Sequence, residues 1–372
     1  MKSIWLGLVL FLSSISVFAA PAGVSGRGWV VVDAASGREL AGHQADLPLA
    51  PASLTQLMTA YVLFGDLKKN KLSLAEMVKV PQTAMEVDGA RVFLKAGEPA
   101  SVDSLLQAML VHSAGDAVLA LVTATDGSEA DFVARMNREA KRLGMTRTRF
   151  MNATGLSEPG HQSSARDLAI LSRALLRDFP ERLGWFAQRE FAYGGLTHYN
   201  GNRLLWRDAT VDGLKVGRTT EAGYCIAATA KRGEQRRIAV VLGARGDAQR
   251  TQDALKLLNY GFENFDSTLL YRAQQAVKVV NLYRGARSSI SLGFLEDFHL
   301  LAPRGSLPRI KAEVVTQQPV VAPIRRGQTL GTLRLKLDGE VLGEYPLVAL
   351  HDVAVAGIFG RGWDSIRLMF GQ

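Results

Sequence analysis

Hydrophobic and polar positions along this chain change period several times, and each change marks an element. "GRGWVVVDAASGREL" reads as strand, turn and strand, with "AASG" as the turn. After the loop "PLAPAS", Leu54, Leu57, Met58, Tyr61 and Val62 recur at helical spacing, which predicts a helix opening at Ser53. Ser53 and Gln56 stand three apart and so share a helical face. Residues 101–147 carry the helical period in three runs. "SVDSLLQAMLVHS" and "GDAVLALVTAT" are separated at Ser113-Ala114-Gly115, and "SEADFVARMNREAKRLGM" has a cap at its start and a glycine near its end. The loop "FMNATGLSEPGHQSS" precedes the helix "ARDLAILSRALLRDFP", which Pro180 stops. From Val211 the pattern becomes strand-like in "VDGLKVGRTT", "YCIAATAKR" and "RRIAVVLGA", with turns at "EAG" and "RGEQ". "DALKLLNYGFENF" is a closing helix. Strands, helices, strands and a helix in that order predict an α/β sheet covered by helices, with a helical insert.

Past about Leu269 the texture becomes short alternating runs such as "AVKVVNLY", "SISLGFL" and "TLGTLRLKLDG". This predicts a separate all-β domain over residues 269–354, within the ordinary size range of a domain. Residues 355–372 form an amphipathic tail. Wound as a helix, Ile358, Phe359, Trp363, Ile366, Met369 and Phe370 fall on one side, with Arg361, Asp364 and Arg367 opposite and Leu368 as the exception. The tail is too short and too charged to span a bilayer. It suits the membrane interface, or else docking on its own β domain; its glycines weaken the helix. At the other end, residues 1–20 have a basic start at Lys2, an apolar run from Ile4 to about Ile15 and the small residues Ala19 and Ala20. That is the layout of a secretory signal peptide cut after Ala19 or Ala20, which leaves 21–268 as the main domain.

Composition narrows the function. With 372 residues, 47% of them hydrophobic, the chain has material for two cores, and 21% charged residues argue against disorder and a multi-span membrane protein. The single cysteine, Cys225, forms no internal disulfide and reads as a small buried strand residue. The six histidines do not cluster at ligand spacing, so no metal or other cofactor is expected. A formal net charge of +9 raises nucleic acid as a partner. Export, the dispersed basic residues and the lack of a nucleic-acid motif favour an anionic wall polymer or lipid surface instead.

Three short stretches carry the candidate chemistry: "SLTQ" at Ser53, "SAG" at Ser113 and "KVG" at Lys215. Alone each is weak, and Ser53 by itself is better explained as a helix N-cap. Together, and with "FLKAGE", "MNATGLSEPGHQSSARDLAILSRALLRD", "NGNRLLW", "VDGLKVGRTTEAGY" and "LKLLNYGFENF", they resemble the penicillin-binding, serine-type D-alanyl-D-alanine carboxypeptidases over nearly the whole chain. The motifs of that family are S-x-x-K, S-x-N and K-T-G, a set shared with the serine β-lactamases. The resemblance implies a transpeptidase/β-lactamase-like domain, a C-terminal β domain and an amphipathic tail helix at a membrane surface. It implies a periplasmic protein peripherally attached to the inner membrane, with peptidoglycan stem peptides ending in D-Ala-D-Ala and β-lactams as ligands.

In that family the motif serine attacks the carbonyl between two D-alanines, the motif lysine takes its proton, and the second serine relays a proton to the leaving amine. The K-T-G strand pairs with the substrate backbone, its lysine and threonine help hold the terminal carboxylate, and backbone N–H groups form an oxyanion hole. By resemblance Ser53, the Gln56 position, Ser113 and Lys215 make the catalytic set. Gly115, Val216, Gly217, Arg218 and Arg250 make the substrate-binding set. Every motif departs at one place: Gln56 replaces the lysine, Gly115 the asparagine and Val216 the threonine. Losing the threonine hydroxyl costs about 1–3 kcal/mol where a buried partner is left bare. Losing the amide at 115 costs a similar order. Losing a general base costs about 10²–10⁴ in rate, approaching 10⁶ where the residue acts as one of a unit.

The expected function is therefore that of a catalytically impaired carboxypeptidase homologue, a pseudoenzyme at the cell wall. The alternative is an active carboxypeptidase in which Lys215, its pKa depressed by desolvation, accepts a proton through Ser113. A serine β-lactamase is disfavoured, because no deacylating glutamate motif is present and the β domain and tail are foreign to that class. Arg218 reads either as a carboxylate grip or as a solvated strand charge, and Arg250 as a carboxylate contact placed on a loose loop alignment. Arg166 and Asp167 are expected to pin the loop and cap the next helix, and His161 and His198 to be structural.

Overall fold

The computed structural model describes residues 21–316 and 318–357. The expected leader lies outside the described residues, as does the tail from residue 358 on. The chain divides into two compact units that part between Phe265 and Asp266.

The larger unit is built on a five-stranded antiparallel sheet. Its strands are β1 (Gly28–Asp33), β2 (Glu39–His43), β3 (Val211–Thr219), β4 (Gly223–Arg232) and β5 (Gln235–Ala244), in the order β2-β1-β5-β4-β3. Sequence-distant β1 and β5 pair in the middle, with Val30 opposite Val240. Strand β3 is left at an edge, paired on one side only, with Lys215 opposite Ala227 and Gly217 opposite Cys225. Val30, Val31, Ile226, Ile238, Val240 and Val241 are fully buried, as expected of strands covered on both faces.

Helix α1 (Gln56–Lys68) crosses this core and buries eleven of its thirteen residues, Gln56, Thr59 and Asp66 included. A helix enclosed on nearly every side loses the meaning of an amphipathic stripe. The insert contains α2 (Val102–Gln107), a π-helical turn over Ala108–His112, α3 (Gly115–Asp126) and α4 (Glu129–Leu143). The break expected at Ser113 is present, since Ser113 adopts the left-handed conformation, φ 64°. Helix α4 is capped by Ser128, which accepts from the Asp131 N–H, and ends at Gly144 with φ 81°. Helix α5 (Ala165–Asp178) is capped in the same way by Ser164 and ends before Pro180. The closing helix α6 (Asp247–Asn264) packs on the sheet.

The smaller unit holds a six-stranded sheet ordered Ile310–Thr316, Thr329–Leu337, Glu340–Ala349, Ser289–Gly293, Ala276–Tyr283, Val320–Val321. Its core includes Ile290, Leu292, Leu333, Leu335 and Leu347. The boundary expected at 269 falls inside the strand Phe265–Tyr271. No helix among the described residues is long and apolar enough to cross a membrane.

Candidate active site

The three motifs, spread from Ser53 to Gly217 in the sequence, meet in one cleft of about 230 Å³. Ser53, Gln56, Ser113, Gly115, Val216, Gly217, Arg218 and Arg250 line it, with Asp88, His112 and the loop residues Thr154, Gly155 and Leu156. Lys215 lies beneath, 2% exposed.

Ser53 does not open the helix as the periodicity predicts. It sits in a 3₁₀ turn, Ala52–Thr55, with α1 beginning at Gln56, and the turn receives no side-chain cap. The N-cap explanation of Ser53 therefore finds no hydrogen bond to support it. Two glycines hold this turn. A Cβ on Gly217 would lie 2.6 Å from the Ser53 nitrogen, and one on Gly155 would lie 2.1 Å from the Ala52 carbonyl oxygen. Gly155 also has φ +87°, and Ala52 between them takes φ +49°. Only glycine permits such approach of backbone to backbone. The edge strand β3 and the loop after Phe150 thus grip the turn from two directions.

Gln56 is 1% exposed. Its amide nitrogen donates to the Ser113 carbonyl (3.2 Å) and to the Thr154 carbonyl (3.0 Å). Two carbonyl acceptors fix which end of the amide is nitrogen. Its Oε1 is buried with no hydrogen-bond partner. The glutamine therefore reproduces the donation an ammonium would make and provides no atom that takes up a proton at neutral pH. Among the described residues no hydrogen bond joins the Ser53 hydroxyl to Gln56, Ser113 or Lys215.

Lys215 donates to Ser113 Oγ across the cleft floor and, at 3.4 Å, to the Val216 carbonyl. Burial, and then the charge of Arg250, lower its pKa to about 7. Val216 is buried, its Cγ2 standing 2.7 Å from where a Cβ on Gly201 would be. At Gly115 an added Cβ would meet Val87 Cγ2 at 3.1 Å. The space that a side chain at 115 would enter is thus partly taken by the segment around residues 87–94, which precedes α2. Buried Asp116 ties that loop down by accepting from the Val92 and Leu94 N–H groups.

The two arginines differ. Arg218 is exposed and lies over the Tyr224 ring, 5.3 Å from its centroid. Arg250, 6% exposed, donates to the Gly217 carbonyl (2.9 Å) and the Cys225 carbonyl (3.3 Å) and pairs with Asp247 (2.6 Å). Most of its guanidinium is thus spent on holding β3 and β4, and its Nε is left without a partner.

The histidines carry more than sequence reasoning gave them. His161 Nδ1 accepts from the Met151 N–H (3.0 Å), so Nε2 carries the hydrogen and donates to Thr55 Oγ1 (2.8 Å). Burial lowers its pKa to about 4 and keeps it neutral there. This bond fastens the 151–162 loop to the serine turn. The ring centroid of His198 lies 4.6 Å from that of His112, which borders Ser113. Burial, and then His198, lower the His112 pKa. No periodicity signals this pair, because the hairpin of Glu190–Tyr193 and Leu196–Tyr199 and the helical insert are brought together only by the fold. Asp167 accepts from the Arg147 N–H and Thr148, and Arg166 pairs with Asp46, which pins the loops, whereas the cap of the next helix expected of these two residues is made by Ser164. Cys225 is fully buried, and burial raises its pKa to about 11. No group of three potential metal ligands occurs among the described residues.

Comparison with known proteins agrees with this geometry. The sequence model of the D-alanyl-D-alanine carboxypeptidase peptidase family matches residues 16–246, and that of the penicillin-binding protein 5 C-terminal domain matches 265–355. The chain is 38% identical to D-alanyl-D-alanine carboxypeptidase DacC of Escherichia coli (strain K12), over 98% of this chain and 94% of that protein. It is 35% identical to DacF of Bacillus subtilis (strain 168), over 96% and 95%. Penicillin binding protein 5 from Haemophilus influenzae superposes with a TM-score of 0.87 at 31% identity, covering 91% of this chain and all of that one.

Proposed function

The chain belongs to the D-alanyl-D-alanine carboxypeptidase family, and on that footing we propose that it is an exported member which receives peptidoglycan stem peptides ending in D-Ala-D-Ala and turns them over poorly or not at all. The observation that carries this reading is Gln56, a buried amide placed as a lysine would be, donating to two carbonyls and accepting nothing. One element of the binding half supports peptide recognition, the edge strand. Strand β3 offers a free edge on which an extended peptide adds as a further strand, and the Gly217 contact sets that edge against Ser53. In this reading Ser53 is the disabled nucleophile, and Ser113 and Lys215 are the remnant of the proton path. Gly115, Val216, Gly217 and Arg218 line the peptide groove, and Arg250 positions β3. The leader supports export to the periplasm, and the amphipathic tail supports peripheral attachment to the inner membrane.

A second reading has its own observation. Lys215 is hydrogen-bonded to Ser113 and has a pKa of about 7, so an appreciable share of it is neutral at physiological pH. Slow acylation of Ser53 then proceeds with Ser113 passing the proton to Lys215.

Labelling with a fluorescent penicillin separates the two. The native chain is compared with Ser53→Ala and Gln56→Lys. No label on the native chain with label on Gln56→Lys establishes an intact pocket without its base. Label on the native chain that Ser53→Ala abolishes, at a rate Gln56→Lys does not raise, refutes impairment.

A further inference from the structure

Two histidine rings stand at the wall of the cleft, and neither reading of the site uses them. His112 lines the cleft and is the last residue of the π-helical turn Ala108–His112, so the next residue along the backbone is Ser113. Turns of this kind often mark functional sites. Ser113 leaves the turn in the left-handed conformation, and from there its hydroxyl accepts from Lys215. The turn is closed by the Ser113 N–H, which donates to the Met109 carbonyl (3.1 Å), and by the Ala114 N–H, which donates to the Ala108 carbonyl (3.2 Å). It packs against both strands of the hairpin that carries His198. There the two imidazoles meet, their centroids 4.6 Å apart and their planes tilted by 56°.

Two features go beyond packing. The first is that His198 is 7% exposed and its Nε2 is buried without a hydrogen-bond partner. A charged imidazole carries hydrogen on both nitrogens. Protonation of His198 therefore leaves a buried cationic N–H with no acceptor, a costly state that the hairpin escapes only by moving. The second is the charge around His112. Burial, and then His198, lower its pKa, the Tyr199 backbone opposes them, Lys215 lowers it further and Asp116 raises it. Buried Asp116 is already committed to the Val92 and Leu94 N–H groups, and Asp103 of α2 to Gln107. Of the other elements packed on the turn, α1 brings the uncharged Gln56, and the helical turn Leu183–Phe186 has no titratable side chain. The hairpin adds Tyr193 and the exposed Glu190 and Tyr199. Acid thus adds positive charge close to Lys215, in a spot poorly furnished to receive it.

We propose that His112 and His198 are a positioning pair for Ser113: while both rings are uncharged their contact holds the π-helical turn and keeps the Ser113 hydroxyl on Lys215, and protonation in acid parts the rings and releases it. The inference rests on the stem-peptide reading only for its consequence, that the cleft takes up peptide less well in acid.

Hydrogen–deuterium exchange of the Ser113 and Ala114 amides, corrected for the intrinsic pH dependence of exchange, reads the turn directly. The native mature chain is compared with His198→Phe and His198→Ala at about pH 7.5 and about pH 5, on either side of the ordinary histidine value. Native protection should fall about tenfold at the lower pH. His198→Phe keeps a ring against His112, and an aromatic face attracts a cation, so it should stay protected at both. His198→Ala should be less protected than the native chain at the higher pH and change little at the lower. A histidine that only fills space gives the loss in His198→Ala without any pH effect in the native chain, and that result overturns the proposal. So does full protection in His198→Ala, or a fall in His198→Phe equal to the native one. The native comparison needs no variant, so it decides even where a variant fails to fold. A D-Ala-D-Ala peptide should bind equally to the native chain and His198→Phe at the higher pH, and about tenfold more weakly to the native chain at the lower. Lys215 titrates in both chains and cancels. Equal binding at both pH values also overturns the proposal. Protection that behaves as expected, with no peptide binding to either chain, upholds the pair and refutes instead the reading of the cleft as a stem-peptide site.

Discussion

Replacing Gly217 by alanine tests whether the edge strand sets the position of Ser53. The new Cβ would stand 2.6 Å from the Ser53 nitrogen, 2.9 Å from Ala52 Cβ and 3.2 Å from the Leu54 nitrogen. Ordinary contact begins at 3.4 Å, so strand and turn must part by about 0.8 Å along the tightest line. Two of the three obstacles are backbone atoms, and Ala52 is itself held by Gly155 from the other side, so no side chain can rotate away. Overpacking of this kind costs about 1–3 kcal/mol. In a unit of this size each kcal/mol moves the melting point by about 2–4 °C, which gives a drop of about 2–12 °C. A displacement near 1 Å at a reacting centre also costs about 10²-fold in rate. The assay is a thermal melt of the larger unit, joined to the rate of penicillin labelling in the Gln56→Lys background, where the base is restored. Gly65→Ala is the matched control. Gly65 lies in α1, an added Cβ there meets nothing within 4 Å, and the change should stabilise by about 0.5–1 kcal/mol. An unchanged melting point and labelling rate for Gly217→Ala would refute the account of how the serine turn is held.

Whatever slow labelling the native chain shows should climb about tenfold per pH unit below 7 and level off above it, because neutral Lys215 is the acceptor; Lys215→Met should flatten the profile. The same depressed pKa has a consequence for stability. Between about 7 and the ordinary lysine value the unfolded chain holds a proton the folded chain lacks, so unfolding free energy attributable to Lys215 rises with pH across that window, as denaturant titrations at several pH values would show. His161, lowered to about 4, acts with the same sign at lower pH: stability falls as pH drops from 6.5 toward 4, and His161→Gln should weaken that dependence. Gly115→Asn alone should fail to improve peptide binding, because Val87 occupies the entrance 3.1 Å from the new Cβ. The double change with Val87→Ala should bind better than either single change, measured by calorimetry with a D-Ala-D-Ala peptide.

Much of this protein is legible in its sequence. The change from a helical period to strand-like runs at Val211 marks where the sheet resumes. Ser128 and Gly144, or Ser164 and Pro180, delimit helices by local chemistry that needs no tertiary partner. The order "SLTQ", "SAG", "KVG" and the stretches around it are enough to bring out the family. The substitutions at 56, 115 and 216 are equally visible, because they are questions of residue type.

Other features belonged to the tertiary structure, and the reason is the same in each case: they depend on contacts between segments far apart in the chain. Helical spacing placed Ser53 at the start of a helix. The fold put it in a 3₁₀ turn instead, because Gly155 and Gly217 press on that backbone from opposite sides. Sequence offered Arg250 as a carboxylate contact; the structure adds that it also donates to the Gly217 and Cys225 carbonyls, acceptors brought together only once β3 and β4 have paired. The pKa of Lys215 follows from burial under the cleft, and the meeting of His112 with His198 from a hairpin folding over the insert. Residue types and local periods are written in the chain itself. Close approach, burial and the partner each polar atom finds are set only when distant segments exclude water together.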